Sequence, residues 1–305
     1  KMTLEVAGEL KISPYESVDI LVKLAENQSK SLAEIVLNHQ AIELHLSKEQ
    51  IYKRMADNFQ VMEESIQSGF MPDRCSSSGL SGGEAYKLLT ALNKGETIGG
   101  RTLAIALARA LAVTEVNASM GRIVAAPTAG SCGILPAAII TVMESHDIPR
   151  DRAIMSLFTA GGIGIVIAKQ ATISGAEGGC QAECGSAAAA AIVEMVEGSP
   201  RQAAHACALA LKNVLGLVCD PVAGLVEIPC IKRNAMGTAN AFVAAELALA
   251  GIESAIPADE VIQTMAAIGM QMPASLKETA AGGLAATKTG QRLAAEIFNE
   301  SDNQK

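Results

Sequence analysis

Two cysteines, Cys219 and Cys230, bracket the stretch CDPVAGLVEIPC, eleven residues apart and each close to a proline, Pro221 or Pro229. Eleven residues would make three turns of helix, but the prolines and Gly224 argue for a bent loop that returns both sulfurs to one point. A third sulfur, Cys180, sits in GAEGGCQAECG, where glycines let backbone approach a bulky ligand without a side-chain clash. Three thiolates suit a metal or a cluster. Zinc fits poorly, because there is no CxxC pair and Cys180 with Cys184 is CxxxC. Free cysteine is also among the most buried residue types, so a core reading stands beside the ligand reading. Cys207, in an alanine-rich helix, and Cys184 are read as core. Cys75 and Cys132 lie in polar loops, as reactive thiols or as simple turn residues.

Two further loops carry polar groups suited to a substrate. In APTAGSCGILP (126–136), Thr128 and Ser131 offer hydroxyls, while the Gly130 and Gly133 amides can approach a carboxylate closely. A Gly/Pro turn joining two helices is the plain alternative. In DRCSSSGLSGGEA (73–85), Ser76, Ser77 and Ser78 make an anion-binding stretch or a solvated turn. No general base stands out. Glu177 and Glu183 flank Cys180 but read as caps or solvated charges, His205 reads as structural, and nothing singles out Lys212 or Asn213. Lys288, behind AAGGLAATKTG, is the one place that tempts a Schiff-base reading.

The elements that must position these loops read as helices. Ile51, Met55, Phe59, Met62 and Ile66 recur at three- and four-residue steps behind a Ser47 to Gln50 capping box. Ser199, Pro200 and Gln202 start another helix, with an N-cap, a first-turn proline and a capping glutamine. Residues 16–46, 101–117, 137–146, 151–158, 186–197, 234–250 and 258–270 are also predicted helical, being rich in Ala, Leu and Met. Alternating β-branched runs are scarce, and aromatics make up only 3%, so the core must pack through small aliphatic side chains. The predicted fold is all-α, a compact multi-helix domain whose Gly/Cys-rich loops converge on a cluster site.

At 305 residues, half of them hydrophobic, the chain can bury a large core. Its net charge is −8 and no long basic run is present, which argues against nucleic acid as a partner. The apolar stretch from Val124 to Met143 contains two prolines and several small polar residues, a poor membrane span. With no secretory signal read at its start, the seven cysteines are not a disulfide framework, and a soluble cytoplasmic protein is expected.

Four ordered motifs, NASMGRIVAAPTAGSCGILPA, SGAEGGCQAECGSAAAA, LKNVLGLVCDPVAGLVEIPCIKRNA and GGLAATKTGQRL, resemble the α-subunit of iron–sulfur-dependent bacterial L-serine dehydratases. The likeness runs from about the SSSGLSGGEA loop to near the C-terminus. It implies a [4Fe–4S] cluster on Cys180, Cys219 and Cys230, with one iron left open as a Lewis acid for the serine hydroxyl. The reaction it implies is L-serine to pyruvate and ammonia. It further implies a single helical catalytic domain over 1–305, with 1–70 the less distinctive part, acting as an oligomer with a separate β-subunit, because nothing here resembles the family's β-domain. Three alternatives stay open: a cluster-dependent lyase acting on cysteine, a non-catalytic iron–sulfur subunit, and a pyridoxal-phosphate dehydratase built on Lys288 and a sheet.

Overall fold

The computed structural model describes residues 13–172 and 180–303. Twelve α-helices fill them: α1 (Val18–Gln28), α2 (Leu32–Glu43), α3 (Lys48–Gly69), α4 (Glu84–Asn93), α5 (Gly100–Ala118), α6 (Ile134–Ser145), α7 (Arg150–Gln170), α8 (Cys180–Met195), α9 (Pro200–Lys212), α10 (Cys230–Leu249), α11 (Ala258–Gln271) and α12 (Lys288–Asn303). Among the described residues there is no strand, only an isolated bridge between Cys219 and Lys277. The all-α expectation holds.

The predicted capping boxes form as read. Ser47 pairs reciprocally with Gln50 at α3, and Ser199 with Gln202 at α9 behind Pro200. Other boundaries moved for local reasons. The single helix expected over 16–46 is two, because Ser29 turns left-handed at φ 51° and Ser31 opens its own capping box with Glu34. The helix expected to end at 158 continues to Gln170 through Gly161, Gly162 and Gly164. A Cβ on Gly162 would lie 2.5 Å from Val36 Cγ2, so that glycine brings α2 close rather than breaking α7. The helix expected from 137 starts at Ile134, with Pro136 in the first turn, where no helical N–H partner is lost. Helices α4 and α12 lie outside the predicted set.

Several helix N-termini are capped from a distance. The Asp259 carboxylate on α11 accepts the Val18 and Asp19 N–H groups of α1 at 2.8 and 3.0 Å. Glu194 on α8 takes those of Leu32 and Ala33 on α2, at 2.9 and 3.1 Å. Glu115 on α5 takes those of Gly83, Glu84 and Ala85 at 3.1, 2.7 and 3.0 Å. Helix α4 has no side-chain cap of its own, because its N-cap is Gly83. Carboxylates at these positive helix ends satisfy orphan donors and tie distant chain segments together.

The centre of the core is α8. Every residue of it except Glu194 is buried, including the run Ala187 to Ala191. It packs against α6, α7, α9 and α10. Alanine faces permit the short interaxial distances that such crowding needs. By length and composition α7 could cross a membrane, but most of its apolar window is buried against other helices, as in the core helix of a globular protein. A smaller cluster of Ala85, Leu111, Ala112 and Ile231 joins α4, α5 and α10.

Candidate active site

Two of the three singled-out cysteines begin helices: Cys180 is the first residue of α8 and Cys230 the first of α10. Cys180 to Gly185, expected to lie in a glycine-rich loop, are therefore helical. Gly175 to Gly179, and Glu177 among them, lie outside the described residues. Cys219 stands in an extended segment pinned by the late loop. Its N–H donates to Leu276 O at 2.9 Å, and its carbonyl accepts the Glu278 N–H at 2.8 Å.

The three sulfurs come together from segments far apart in sequence. Each of Cys219 and Cys230 feels the charge of Cys180, and Cys219 also feels that of Cys230. Burial pushes the Cys219 thiol up to about 12 and Cys230 to about 11, and the neighbouring sulfurs push the same way. Nearby Arg233 pulls both down. Burial also raises Cys180, against hydrogen bonds from the Thr128 and Ser131 hydroxyls. A helix N-terminus favours a thiolate, yet desolvation outweighs it here.

This donor set can be weighed as a cofactor site. Buried thiols that resist ionisation become thiolates together only when a compensating positive charge binds them, and binding then releases their protons. Among the described residues no three His, Cys, Asp or Glu side chains converge as a single ion requires. Three thiols near enough to feel one another's charge are the donor type that an iron–sulfur centre uses, since its usual ligands are thiolates. The residues fit such a group.

The 126–136 loop lies directly on Cys180. Residues Ala129–Ser131 form a 3₁₀ turn with Thr128 as N-cap. A Cβ on Gly130 would sit 3.3 Å from Cys180 Sγ, so loop and sulfur are in contact. The expected substrate-facing residues are thereby split. The Thr128 and Ser131 hydroxyls lie near the sulfur, with Ser131 Oγ donating to Ala126 O at 3.1 Å, whereas the Gly130 N–H donates to Thr128 Oγ1 at 3.2 Å and the Gly133 N–H to Asn234 Oδ1 at 3.0 Å. Gly133 has a packing role too, since a Cβ there would lie 2.4 Å from Ala110 O on α5. Cys132, read as a polar-loop residue, is fully buried at the end of this turn. Cys184 and Cys207 are buried as expected, and Cys75 is exposed.

Polar residues that the sequence reading passed over hold the loops. Asp220 bonds Arg233 at 3.0 Å and accepts the Leu284 N–H at 2.7 Å. The neighbouring Gly283 has φ +58°, and a Cβ there would meet the Asp220 carboxylate at 2.4 Å. Arg233 also donates to Val218 O at 2.7 Å, which fixes both sides of Cys219. Glu227 is buried and takes hydroxyls from Ser78 at 2.7 Å and Ser81 at 2.5 Å. Part of the serine stretch read as anion-binding is thus occupied by the chain's own carboxylate. Glu278, exposed and at φ 62°, places charge near Cys180 and Cys219.

Other candidates resolve more simply. Glu183 is buried rather than solvated. It lines, with Cys184, a largely apolar cavity of about 340 Å³ between α3, α7 and α8, which the three cysteines do not line. His205 Nδ1 accepts the Ser254 N–H, a structural bond as read. Asn213 pairs with Asn240. Lys288 is exposed at the start of α12, far from the enclosed setting that a Schiff-base lysine needs, and the sheet expected of that rival is absent among the described residues.

The fold and site together define an all-α class, with buried Cys180 and Cys230 at two helix starts and the half-buried Cys219 near them. The family described as "Serine dehydratase alpha chain" matches residues 27–285, and the chain belongs to it. It is 48% identical, over 93% of its length and 95% of the relative's, to the "Probable L-serine dehydratase, alpha chain" of Bacillus subtilis. Against the "L-serine dehydratase, alpha chain" of Peptoniphilus asaccharolyticus it is 44% identical over 92% and 98%. A longer relative, "L-serine dehydratase 2" of Escherichia coli, is 36% identical over 89% of this chain but only 61% of its own length.

Proposed function

We propose that this chain is the α-subunit of an L-serine dehydratase, a lyase that converts L-serine to pyruvate and ammonia with a separate β-subunit as partner. The observation that carries the reading is the meeting of Cys180, Cys219 and Cys230 beside the Thr128 and Ser131 hydroxyls, in a member of the serine dehydratase alpha chain family.

Cys180, Cys219 and Cys230 would hold a [4Fe–4S] cluster. When bound it supplies a Lewis acid that makes the serine hydroxyl a tolerable leaving group. The chain's own residues do the rest. The three cysteines give up their protons on loading, and Arg233 offsets part of the negative charge gathered at Cys219 and Cys230. Asp220 and Arg233 hold the Cys219 segment, and Glu227 holds the serine loop against it. Thr128 and Ser131 present hydroxyls on the Cys180 side, where they orient a polar substrate. Elimination also needs a base for the α-proton, and the long relative's extra length accords with a second domain or subunit that completes the pocket.

The test is anaerobic iron and sulfide content, followed by pyruvate formation from L-serine with and without a co-expressed β-subunit. About four irons per chain and β-dependent pyruvate are expected. A chain that stays iron-free after anaerobic reconstitution overturns the reading.

A further inference from the structure

One backbone carbonyl of the substrate loop is held from two sides. Gly130 O accepts Asn234 Nδ2 at 2.7 Å and Gln181 Nε2 at 3.0 Å. Asn234 Nδ2 also donates to Cys230 O at 2.8 Å, and its Oδ1 accepts the Gly133 N–H at 3.0 Å. Both amides are buried, Asn234 completely. A buried polar group costs free energy unless it is bonded, and asparagine inside a helix is otherwise a mediocre choice. Here its two donors and its acceptor are all used, which no other side chain of that size can match. Aspartate would aim oxygen at two carbonyl oxygens, and leucine would strand the Gly133 N–H.

The placement of the two amides gives the contacts their meaning. Gln181 follows Cys180 at the start of α8, and Asn234 stands one turn beyond Cys230 at the start of α10. The loop that carries Thr128 and Ser131 is therefore referenced to both cysteines at once.

We propose that Asn234 and Gln181 are positioning residues, an amide clamp on the Gly130 carbonyl that sets the Thr128 and Ser131 hydroxyls at a fixed distance from Cys180 and Cys230. Its consequence for serine binding rests on the dehydratase reading; the clamp itself rests on the hydrogen bonds. Releasing it lets the loop lift from Cys180, which Gly130 now touches.

The experiment uses the complex of the full chain with its β-subunit and two variants, Gln181→Met, which removes one donor without adding charge, and Asn234→Asp, which keeps the shape. In complex stripped of iron, iodoacetamide labelling of each cysteine is followed by mass spectrometry. Cys180 is expected to label about tenfold faster in both variants, the scale of one lost hydrogen bond, with Cys184 and Cys207 as protected as in the wild type. In iron-loaded complex the KM for L-serine is expected to rise about tenfold with iron content unchanged. Unchanged Cys180 labelling in both variants, labelling of Cys184 and Cys207 in step with Cys180, or an unchanged KM each overturn the proposal. If the wild-type complex makes no pyruvate, the dehydratase reading has failed, and the labelling arm still decides whether the clamp exists.

Discussion

A sulfur that must ionise in a buried place depends on what binds it. Replacing Cys180, Cys219 or Cys230 singly by serine is expected to drop iron content from about four per chain to below one, whereas Cys75→Ser, at an exposed position, should leave it unchanged. Iron and sulfide assays on anaerobically purified variants check this, and full retention of iron by any one of the three removes that cysteine from the ligand set. Cysteines between prolines and glycines stand out in the sequence by type, and the family resemblance, not their spacing, singled out these three as a ligand set. Asn234, Gln181 and Glu227 do not stand out. Each looks like an ordinary polar residue, and its meaning comes from partners as much as 149 positions away, such as Ser78 for Glu227. Glu194 offers a second test at this scale. Burial raises its carboxyl above the usual range, against the pull of the Leu32 and Ala33 N–H groups. The folded chain then holds that proton more tightly than the unfolded chain. Its contribution to stability therefore falls as pH rises from the unfolded value, about 4.3, through the higher folded pKa. Urea melts across that range should show Glu194→Gln gaining on the wild type as pH rises and levelling off above it; a constant difference contradicts the assignment.

At the scale of elements, the helix starts that carry their own capping box were the plainest boundaries to read. Ser47 and Ser199 announced α3 and α9 because a capping box is a local signal, complete within four residues. Gly162 of α7 misled for the opposite reason, since its role is contact with Val36 on another helix. Helix α4 hides its cap on Glu115, 32 positions beyond Gly83. Ser199→Ala should cost about 1 kcal/mol in urea unfolding, the usual worth of an N-cap. Asp220→Ala should cost more, because it strands Arg233 and the Leu284 N–H around Cys219. A fully buried pair broken on one side loses roughly 3–5 kcal/mol, and the partial solvent access of Arg233 places this one nearer the lower bound. A cost no larger than that of Ser199→Ala would show that the pair does not organise the Cys219 segment.

Across the whole molecule, attachment is uneven. Helices α6 to α10 share the central core around α8, whereas α12 packs mainly on the 3₁₀ turns at Val222–Gly224 and Gly283–Ala286. That C-terminal part reaches the rest through the Cys219 bridge to Lys277 and the Asp220 bond to Leu284. Local opening costs least where buried apolar contacts are few, so residues 274–298 and the 216–230 segment form the low-stability end of the structure. In the proposed loaded state, three ligands join α8, α10 and the Cys219 segment, and a group that binds only the folded arrangement stabilises what it joins. Removing iron from the loaded protein should therefore speed amide hydrogen exchange in 216–230 and 274–298 by tenfold or more, on the order of one to two kcal/mol of lost protection, and leave α2, α7 and the C-terminal half of α8 unchanged. Exchange that quickens evenly through the core would mean that the cluster stabilises the fold as a whole. Exchange that does not change anywhere would mean that the three cysteines hold no iron.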